Sequence, residues 1–357
     1  MLALKNDFEI THQLNLPGVL KSHELILRPK GLAILKEYFD GIPLSAFLHT
    51  EAATVETLFH IVSKLTQILG DLHANGIIHK DLNPDNILIS ADGQQLEICY
   101  FGMATRLARE TQGVRLQEFL KGSLTHISPE QTGRMNRSID YRSDLYSLGI
   151  ILYQCFTGRL PFEFEDEMEL VHAHIARYPA APNTLRADLP PALSALIMKL
   201  LAKNAEDRYQ SAEGVLVDLE RIRTQWIAGN RLADFPLATR NFSSILSISE
   251  KLYGRSAEIT QLTQAFERMQ NRGPELMLVA GYSGIGKTRL ILEIDKPVSS
   301  GDGFFAFGKF DQYNRDTPYS AISQAFGSLI RQILSESNQK IQRWKEDILE
   351  ALQDEAQ

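Results

Sequence analysis

The sequence has 357 residues, a length that allows one large domain with part of another, or two medium-sized domains. Apolar residues make up 44% and charged residues 23%, which are ordinary globular values and exclude a wholly disordered chain. The 37 Lys and Arg residues against 44 Asp and Glu give a formal charge of −7, and no basic patch offsets it, so we expect no nucleic-acid partner.

The cysteines and the apolar runs limit where the protein can act. Cys99 and Cys155 are the only cysteines, and two isolated thiols cannot form a disulfide framework or a four-ligand metal site, which predicts a reducing cytoplasm. The longest apolar run, residues 148–156, is about half of the ~20 residues that cross a bilayer. The first ten residues turn acidic too early for a signal peptide. We therefore expect no membrane segment.

A long amphipathic helix is predicted to begin at Val55 and to lead towards His79. Its apolar residues recur in steps that keep a single helical face, and Asn75 and Gly76 supply a left-handed stop. After His79, the runs ILIS and LEICY flank the turn ADGQQ, whose Asp-Gly pair suits a tight reversal between two short strands.

Helical patterns dominate the chain after a loop at residues 102–129. They predict helices from Asp144 to Phe156, Met168 to Ala176, Pro191 to Lys203 and Ala212 to Ile227. Residues 228–250 lose this periodicity and collect Ser, Asn, Gly and Pro, which predicts a linker.

A second unit is predicted to begin near Leu252. It opens with a helix from Ser256 to Asn271, followed by the strand ELMLVA, a Gly-rich turn and another helix. The end of the chain, from Ser320 to Gln357, is predicted to be helical and increasingly polar.

The first half carries five motifs that match protein kinases in order. His79, Lys80 and Asp81, with Asn86 five positions after the Asp, resemble the catalytic loop of that family. The other four matches are Phe101-Gly102, Ser128-Pro129-Glu130, the helix start at Asp144, and Arg208, which is expected to pair with Glu130. The resemblance implies that ATP is the phosphoryl donor and a protein Ser or Thr the acceptor.

The resemblance also assigns roles and shows departures at the reacting centre. It implies that Asp81 accepts or orients the acceptor hydroxyl, that Asn86 holds one Mg²⁺, and that an Asp before Phe101 holds the second. Tyr100 stands at that last position, and a phenol with a pKa near 10 is neutral and a poor ligand for a hard cation. Phosphoryl transfer is therefore predicted to be impaired or lost, with Asp81 and Asn86 bracing the loop instead.

Further departures lie around the catalytic loop. Nothing before His79 reads GxGxxG, and the apparent strand lysine, Lys5, is predicted to be a solvated helix residue. Asp7 takes the place of the family's paired Glu, with a shorter reach and no visible partner. Lys80 replaces the usual Arg, so an arginine clamp on a phosphorylated activation segment is predicted to be absent.

The second unit contains the most specific motif of the chain. Residues 281–288, GYSGIGKT, match GxxxxGK[ST] between an apolar run and a helical pattern. Such a P-loop cradles phosphates with backbone N–H groups, while Lys287 reaches the outer phosphates and Thr288 binds Mg²⁺. The predicted nucleotide-binding residues are Gly281, Ser283, Gly284, Ile285, Gly286, Lys287 and Thr288. No apolar strand ending in Asp follows as a Walker-B element.

The order of the two units resembles a family of bacterial hybrid signalling proteins of the cyanobacterial type. There a serine/threonine kinase domain precedes an AAA-type ATPase module, a sensor region and a histidine kinase, so this chain would be truncated at both ends. The resemblance implies an α+β protein-kinase-like fold with a mainly α C-lobe and a reduced N-lobe at residues 1–227, a linker at 228–250, and the start of an α/β P-loop NTPase domain at 251–357.

Three functions remain open from the sequence. The first is an impaired serine/threonine kinase domain joined to an ATP-binding module in signal transduction, with a protein substrate or signalling partner. The second is an inactive pseudokinase that serves as a docking module beside a nucleotide-responsive P-loop. The third is a truncated gene fragment without a stable role.

Overall fold

The computed structural model describes most of the chain as two compact units. The first contains most of the described residues up to 239, and the second contains one helix, Glu167–Ala176, together with the described residues from 254 onward. The described residues are 2–28, 31–106, 124–132, 138–227, 235–239, 254–282, 285–294, 298, 303–308, 319–334 and 338–352.

The first unit begins with a helix and a β-hairpin. Helix α1 spans Leu2–Gln13, so the apparent strand LALK is helical and Lys5 is exposed, as predicted. Strands β1 (Ser22–Arg28) and β2 (Gly31–Lys36) pair antiparallel. The sequence prediction missed this hairpin.

A long helix and a three-stranded sheet lead to and from the catalytic-loop motif. Helix α2 spans Leu44–Phe47, and helix α3 spans Val55–Ala74 with Asn75 as its C-cap, as predicted. Strands β3 (Ile42–Pro43), β4 (Ile87–Ile89) and β5 (Leu96–Ile98) form an antiparallel sheet in that order. The β4–β5 reversal confirms the predicted hairpin, and Gly93 within it has a φ of +72°.

Helices form most of the remaining first unit. Helix α4 spans Arg142–Thr157, α6 Pro182–Leu185, α7 Pro191–Leu200 and α8 Ala212–Ile227. Helix α5, Glu167–Ala176, is the one that belongs to the second unit. Helix α3 packs against α8 and α4, and α7 packs against α4 and α8. These four helices supply much of one continuous apolar core, including Leu65, Leu69, Leu148, Ile151, Leu196, Ile197, Val215 and Leu219.

The predicted linker contains a short packed segment. Only residues 235–239 of the stretch 228–250 are described. The Phe235 ring lies 3.9 Å from the guanidinium carbon of Arg221, and the Ala238 N–H donates to the carboxylate of Asp218 at 2.7 Å. This segment is therefore docked on α8.

The described part of the second unit is mainly helical. Helix α9 spans Ser256–Arg272, α10 Lys287–Leu292, α11 Ser320–Leu334 and α12 Asn338–Leu352. The predicted strand ELMLVA is wrong: residues 274–280 have no regular secondary structure, and Leu276 and Leu278 are both 85% exposed. A strand requires a hydrogen-bonded neighbour, and none pairs with this segment within the described ranges.

Among the helices that the structure describes, none is both long enough and apolar enough to cross a bilayer.

Candidate functional site

The catalytic-loop motif is anchored by one buried carboxylate. Asp144, in the first turn of α4, accepts the backbone N–H of His79 at 2.9 Å and that of Lys80 at 2.8 Å. It also accepts a hydrogen bond from His73 Nε2 at 2.9 Å. Burial raises the pKa of Asp144, but the bonds and charges of His73 and His79 outweigh it, so the pKa lies below its ordinary value. This anchor holds Lys80 at a φ of +64°.

Asp81 is held by two asparagine side chains. Asn83 Nδ2 donates to one carboxylate oxygen at 3.1 Å, and Asn86 Nδ2 donates to the other at 3.1 Å. Both amides also donate to the Asp81 carbonyl, at 3.0 Å and 2.8 Å respectively. Of the three predicted catalytic residues, the structure thus brings Asp81 and Asn86 into direct contact, and Lys80 lies buried beside them in the loop.

The surroundings of Asp81 favour a proton acceptor. Burial raises the pKa of Asp81, while the charge of His79 and the amide donors of Asn86 and Asn83 lower it, and the net pKa lies above the ordinary value. Burial also lowers the pKa of His79, whose ring packs edge-on against Phe101 at 4.7 Å between centroids. A hydroxyl placed beside Asp81 would therefore meet a carboxylate that is more basic than usual.

Tyr100 occupies the turn beside this loop. The Cys99 N–H donates to the Asn86 carbonyl at 2.9 Å, which places Tyr100 next to the motif, and Tyr100 has a φ of +63° with 39% of its surface exposed. Burial, followed by the charges of Asp81 and Asp7, raises the pKa of the phenol. A neutral phenol offers no carboxylate ligand, so the residues present here do not fit the Mg²⁺ that the motif implies.

Asp7 has a partner, which corrects the prediction that it has none. Lys36 Nζ lies 3.0 Å and 2.8 Å from the two Asp7 carboxylate oxygens. The Phe101 N–H also donates to Asp7 Oδ1, at 3.1 Å. No sequence pattern identified Lys36 as this partner, because it lies on β2, a strand of the hairpin that was not predicted.

The expected ion pair between Glu130 and Arg208 is present. Arg208 donates to both carboxylate oxygens of Glu130, at 2.7 Å and 2.8 Å, and its side chain is fully buried. Burial raises the pKa of Glu130, but Arg208 and the hydroxyl of Ser143 outweigh it and lower that pKa to about 2. The neighbouring Gln131 donates to the Lys80 carbonyl at 2.6 Å, so this ion pair lies close to the catalytic-loop motif.

The P-loop motif leads into α10. Gly286, the N-cap of α10, has a φ of +93°, and Lys287 and Thr288 form the first turn. Lys287 Nζ donates to the carbonyls of Gly281 and Tyr282, both at 2.8 Å. Ser283 and Gly284 lie outside the described residues, whereas Ile285 is described. A hydroxyl and an ammonium side by side at a helix start fit an ATP phosphate with Mg²⁺.

Comparisons with known protein families match the two parts of the chain to two different domains. A protein-family model described as Protein kinase domain matches residues 3–218, and one described as AAA ATPase domain matches residues 251–357.

Three relatives illustrate these similarities. Hybrid signal transduction histidine kinase G of Dictyostelium discoideum is 36% identical over 257 residues, which cover 66% of this chain and 7% of that protein. Serine/threonine-protein kinase PknB of Mycobacterium tuberculosis is 36% identical over 190 residues, covering 53% of this chain and 30% of that protein. Histidine protein kinase 1 of Candida albicans is 26% identical over 318 residues, which cover 81% of this chain and 13% of that protein. The chain spans less than a third of each relative.

Proposed function

We propose that in this chain, which belongs to the protein kinase family, the first unit is a kinase domain whose phosphoryl transfer is impaired or lost. The second unit, which carries the AAA ATPase domain, binds ATP with Mg²⁺ through the P-loop. The chain acts in signal transduction, with a protein substrate or signalling partner. Because Cys99 and Cys155 are both free thiols, the reducing cytoplasm suits it.

Tyr100 is the observation that carries this proposal. Phosphoryl transfer depends on neutralising the charge that develops on the phosphates, and the family does so with metal ions held by an Asp and an Asn. Here the phenol of Tyr100 takes the place of that Asp, and its raised pKa keeps it neutral at pH 7. Asn86 alone remains from the metal-binding pair. Its side-chain Nδ2 donates to Asp81, and its side-chain Oδ1 is the atom that Asn86 offers a cation.

The first unit nevertheless keeps the parts that orient an acceptor. Asp81 is fixed by two amides, and the loop that carries it is fixed by Asp144. These contacts support Asp81 as the residue that would accept a proton from a Ser or Thr hydroxyl. They equally support the bracing role, in which the loop only maintains a surface.

The second unit supplies the nucleotide response in this proposal. Lys287 reaches back to the P-loop carbonyls in this structure, and its three N–H donors suit the outer phosphates of ATP equally well. Bound magnesium would neutralise phosphate charge, and the Thr288 hydroxyl is the ligand that this chain offers it.

The test is incorporation of label from γ-labelled ATP into a Ser/Thr-containing acceptor such as dephosphorylated casein. The full chain, Asp81→Ala and Lys287→Ala are compared, with PknB as the assay control. We expect all three to stay at background while PknB labels the acceptor. Incorporation that Asp81→Ala abolishes and Lys287→Ala retains would overturn the proposal and establish an active serine/threonine kinase.

A second candidate function is that of a docking module without catalysis. The buried ion pair of Glu130 with Arg208 and the anchored loop favour it, because both stabilise a surface without requiring turnover. This candidate would be supported by a protein partner that binds the parent chain and Asp81→Ala equally well. Addition of ATP with Mg²⁺ should change that binding, and the change should disappear in Lys287→Ala.

A further inference from the structure

The ammonium of Lys203, in the first unit, lies in a cage of three aromatic rings. Its Nζ lies 4.6 Å from the centroid of the Phe162 ring, 5.8 Å from that of Tyr146 and 5.9 Å from that of Tyr178. The ammonium also donates to the Tyr146 hydroxyl at 3.4 Å. Aromatic faces attract cations through their quadrupoles, so this aromatic cage favours a nitrogen that carries a positive charge.

The aromatic cage has two buried sides and one side at the surface. Tyr146 is fully buried and Phe162 is 6% exposed, whereas Tyr178 is 75% exposed. Tyr178 lies in a segment that is neither helix nor strand. Lys203 itself is buried, and a rotation of the one exposed ring would open a path for a small molecule to its amine.

A neighbouring guanidinium adds to the effect of burial on Lys203. Arg208 donates to the Lys203 carbonyl at 3.0 Å, while its other donors hold Glu130. Burial, followed by the charge of Arg208, lowers the pKa of Lys203 to about 7. A solvated lysine has a pKa near 10.4 and is almost wholly protonated at pH 7. Lys203 therefore presents a much larger share of neutral amine, the form that attacks electrophiles.

The spacing of the rings limits what can be added to the nitrogen. The centroids of Tyr146 and Tyr178 lie over 1 Å farther from Nζ than that of Phe162. A carbon bonded to nitrogen lies about 1.5 Å from it. The aromatic cage thus leaves room for one carbon on the amine, and a larger substituent would have to displace Tyr178.

We propose that Lys203 is a covalent site for a one-carbon aldehyde, formaldehyde, which its amine takes up as an iminium ion held in the aromatic cage. The nitrogen lone pair attacks the carbonyl carbon, and a C–N bond forms. The carbonyl oxygen receives one proton from the nitrogen and one from solvent and leaves as water, so the step needs no oxidant or reductant. The product keeps the positive charge that the rings favour, whereas an acyl group would leave a neutral amide.

The test traps this iminium on the full chain with isotopically labelled formaldehyde and cyanoborohydride, which reduces the iminium to a stable methylamine. Mass spectrometry compares labelling of Lys203 with that of Lys5, an exposed lysine of the same sample. At pH 7 we expect Lys203 to be labelled at least about tenfold faster, because a solvated lysine is almost wholly protonated at this pH. Labelling of Lys203 that is no faster than that of Lys5 would overturn the proposal.

The pH dependence of the same reaction distinguishes a deprotonated amine from an accessible one. The neutral share of a solvated lysine rises about tenfold between about pH 8 and pH 9, whereas an amine with a pKa of about 7 is already mostly neutral at pH 8. The ratio of Lys203 labelling to Lys5 labelling should therefore fall by about tenfold over this interval. A ratio that stays constant with pH contradicts the proposal.

A larger aldehyde tests the limit to one carbon. Benzaldehyde should label Lys203 of the parent far more slowly than formaldehyde does, each rate being divided by that of Lys5. Tyr178→Ala should raise labelling by benzaldehyde at least about fivefold, because it removes the ring that closes the aromatic cage. Tyr38→Ala, at a tyrosine that is 85% exposed elsewhere, is the matched control and should behave as the parent does. Equal relative labelling of the parent by both aldehydes would overturn the assignment of a one-carbon site.

Discussion

Tyr100 has a φ of +63°, a left-handed conformation that costs a side chain with a Cβ free energy and that Asp and Asn adopt more readily than aromatic residues. The turn tolerates it because Asn6 and Asp7 hold the next residues in place. The backbone has therefore kept a conformation that suits a carboxylate, although the side chain is a phenol.

Tyr100→Asp should accordingly restore sensitivity to magnesium in the first unit. In the Lys287→Ala chain, we expect Mg²⁺ to tighten ATP binding to this variant by about tenfold, because a carboxylate would join the side-chain Oδ1 of Asn86 as a ligand. Tyr100→Asn is the matched control, since it suits the same backbone but adds no charge. Equal responses to Mg²⁺ from the Asp and Asn variants, measured by calorimetry, would contradict this expectation.

The functional role of a single residue could be predicted from the sequence in some cases and not in others. Asp81 and Asn86 could be singled out because they lie five positions apart in one local motif, and Tyr100 because it stands directly before Phe101-Gly102. Lys36 could not, because its partner Asp7 lies 29 positions away on another element and only the fold brings them together. Pairing across elements depends on packing, which local spacing does not encode.

The buried ion pair of Glu130 with Arg208 joins two parts of the first unit that are far apart in the sequence, and it makes the stability of that unit depend on pH. The pKa of Glu130 lies at about 2, below its ordinary value of 4.5. The stabilisation is therefore fully present above about pH 4.5 and is lost as the pH falls through about 2.

Glu130→Gln tests this dependence. At pH 7 we expect a loss on the order of 3 kcal/mol in the free energy of unfolding, because Arg208 keeps a buried charge without its partner. The difference from the parent should shrink as the pH is lowered from about 4.5. Urea unfolding is followed through Trp226 of α8 in a Trp344→Phe background. Glu213→Gln, at an exposed glutamate of α8, is the control, and a difference that stays constant with pH would contradict the assignment.

The segment 235–239 should behave as part of the first unit, although its composition predicts a linker. Phe235→Ala removes the ring that lies beneath Arg221 and packs on the apolar core, so we expect a loss of about 2 kcal/mol. Leu27→Ala, at a side chain that is 75% exposed on β1, is the control. Unfolding of the same Trp344→Phe chain measures both, and equal stabilities for the two variants would count against docking.

Elements with strong local signals could be predicted, and elements that depend on a neighbour could not. Helix α3 and the β4–β5 hairpin carry their own periodicity and turn residues, and both appear where expected. The residues 274–280 have the apolar composition of a strand, yet they form none, because backbone pairing requires a second strand. The β1–β2 hairpin is local, since β2 begins three residues after β1 ends. It was missed because the residues between the strands, Pro29 and Lys30, are not one of the Asn-Gly or Asp-Gly pairs that indicate a tight hairpin turn.

The whole molecule combines a protein kinase domain with an AAA ATPase domain, and the two units offer magnesium different residues. The protein kinase domain has lost one anionic ligand at Tyr100, whereas the P-loop of the AAA ATPase domain keeps both its lysine and its hydroxyl. The proposed magnesium requirement of ATP binding can therefore be tested in the second unit by itself.

Thr288→Ala isolates the magnesium response of the second unit. In a Trp226→Phe background, Trp344 of α12 reports unfolding of that unit. ATP with Mg²⁺ should stabilise the parent by about 2.7 kcal/mol when ATP is at a hundred times its Kd, and ATP in EDTA should stabilise it less. Thr288→Ala should be stabilised equally by ATP in both conditions, because only the hydroxyl that binds the metal is removed, and Lys287→Ala should not be stabilised by ATP at all.

Thr260→Ala, in α9, is the control and should respond to ATP as the parent does. A parent chain whose Trp344 transition is unmoved by ATP with Mg²⁺ would mean that the P-loop motif binds no nucleotide in this protein.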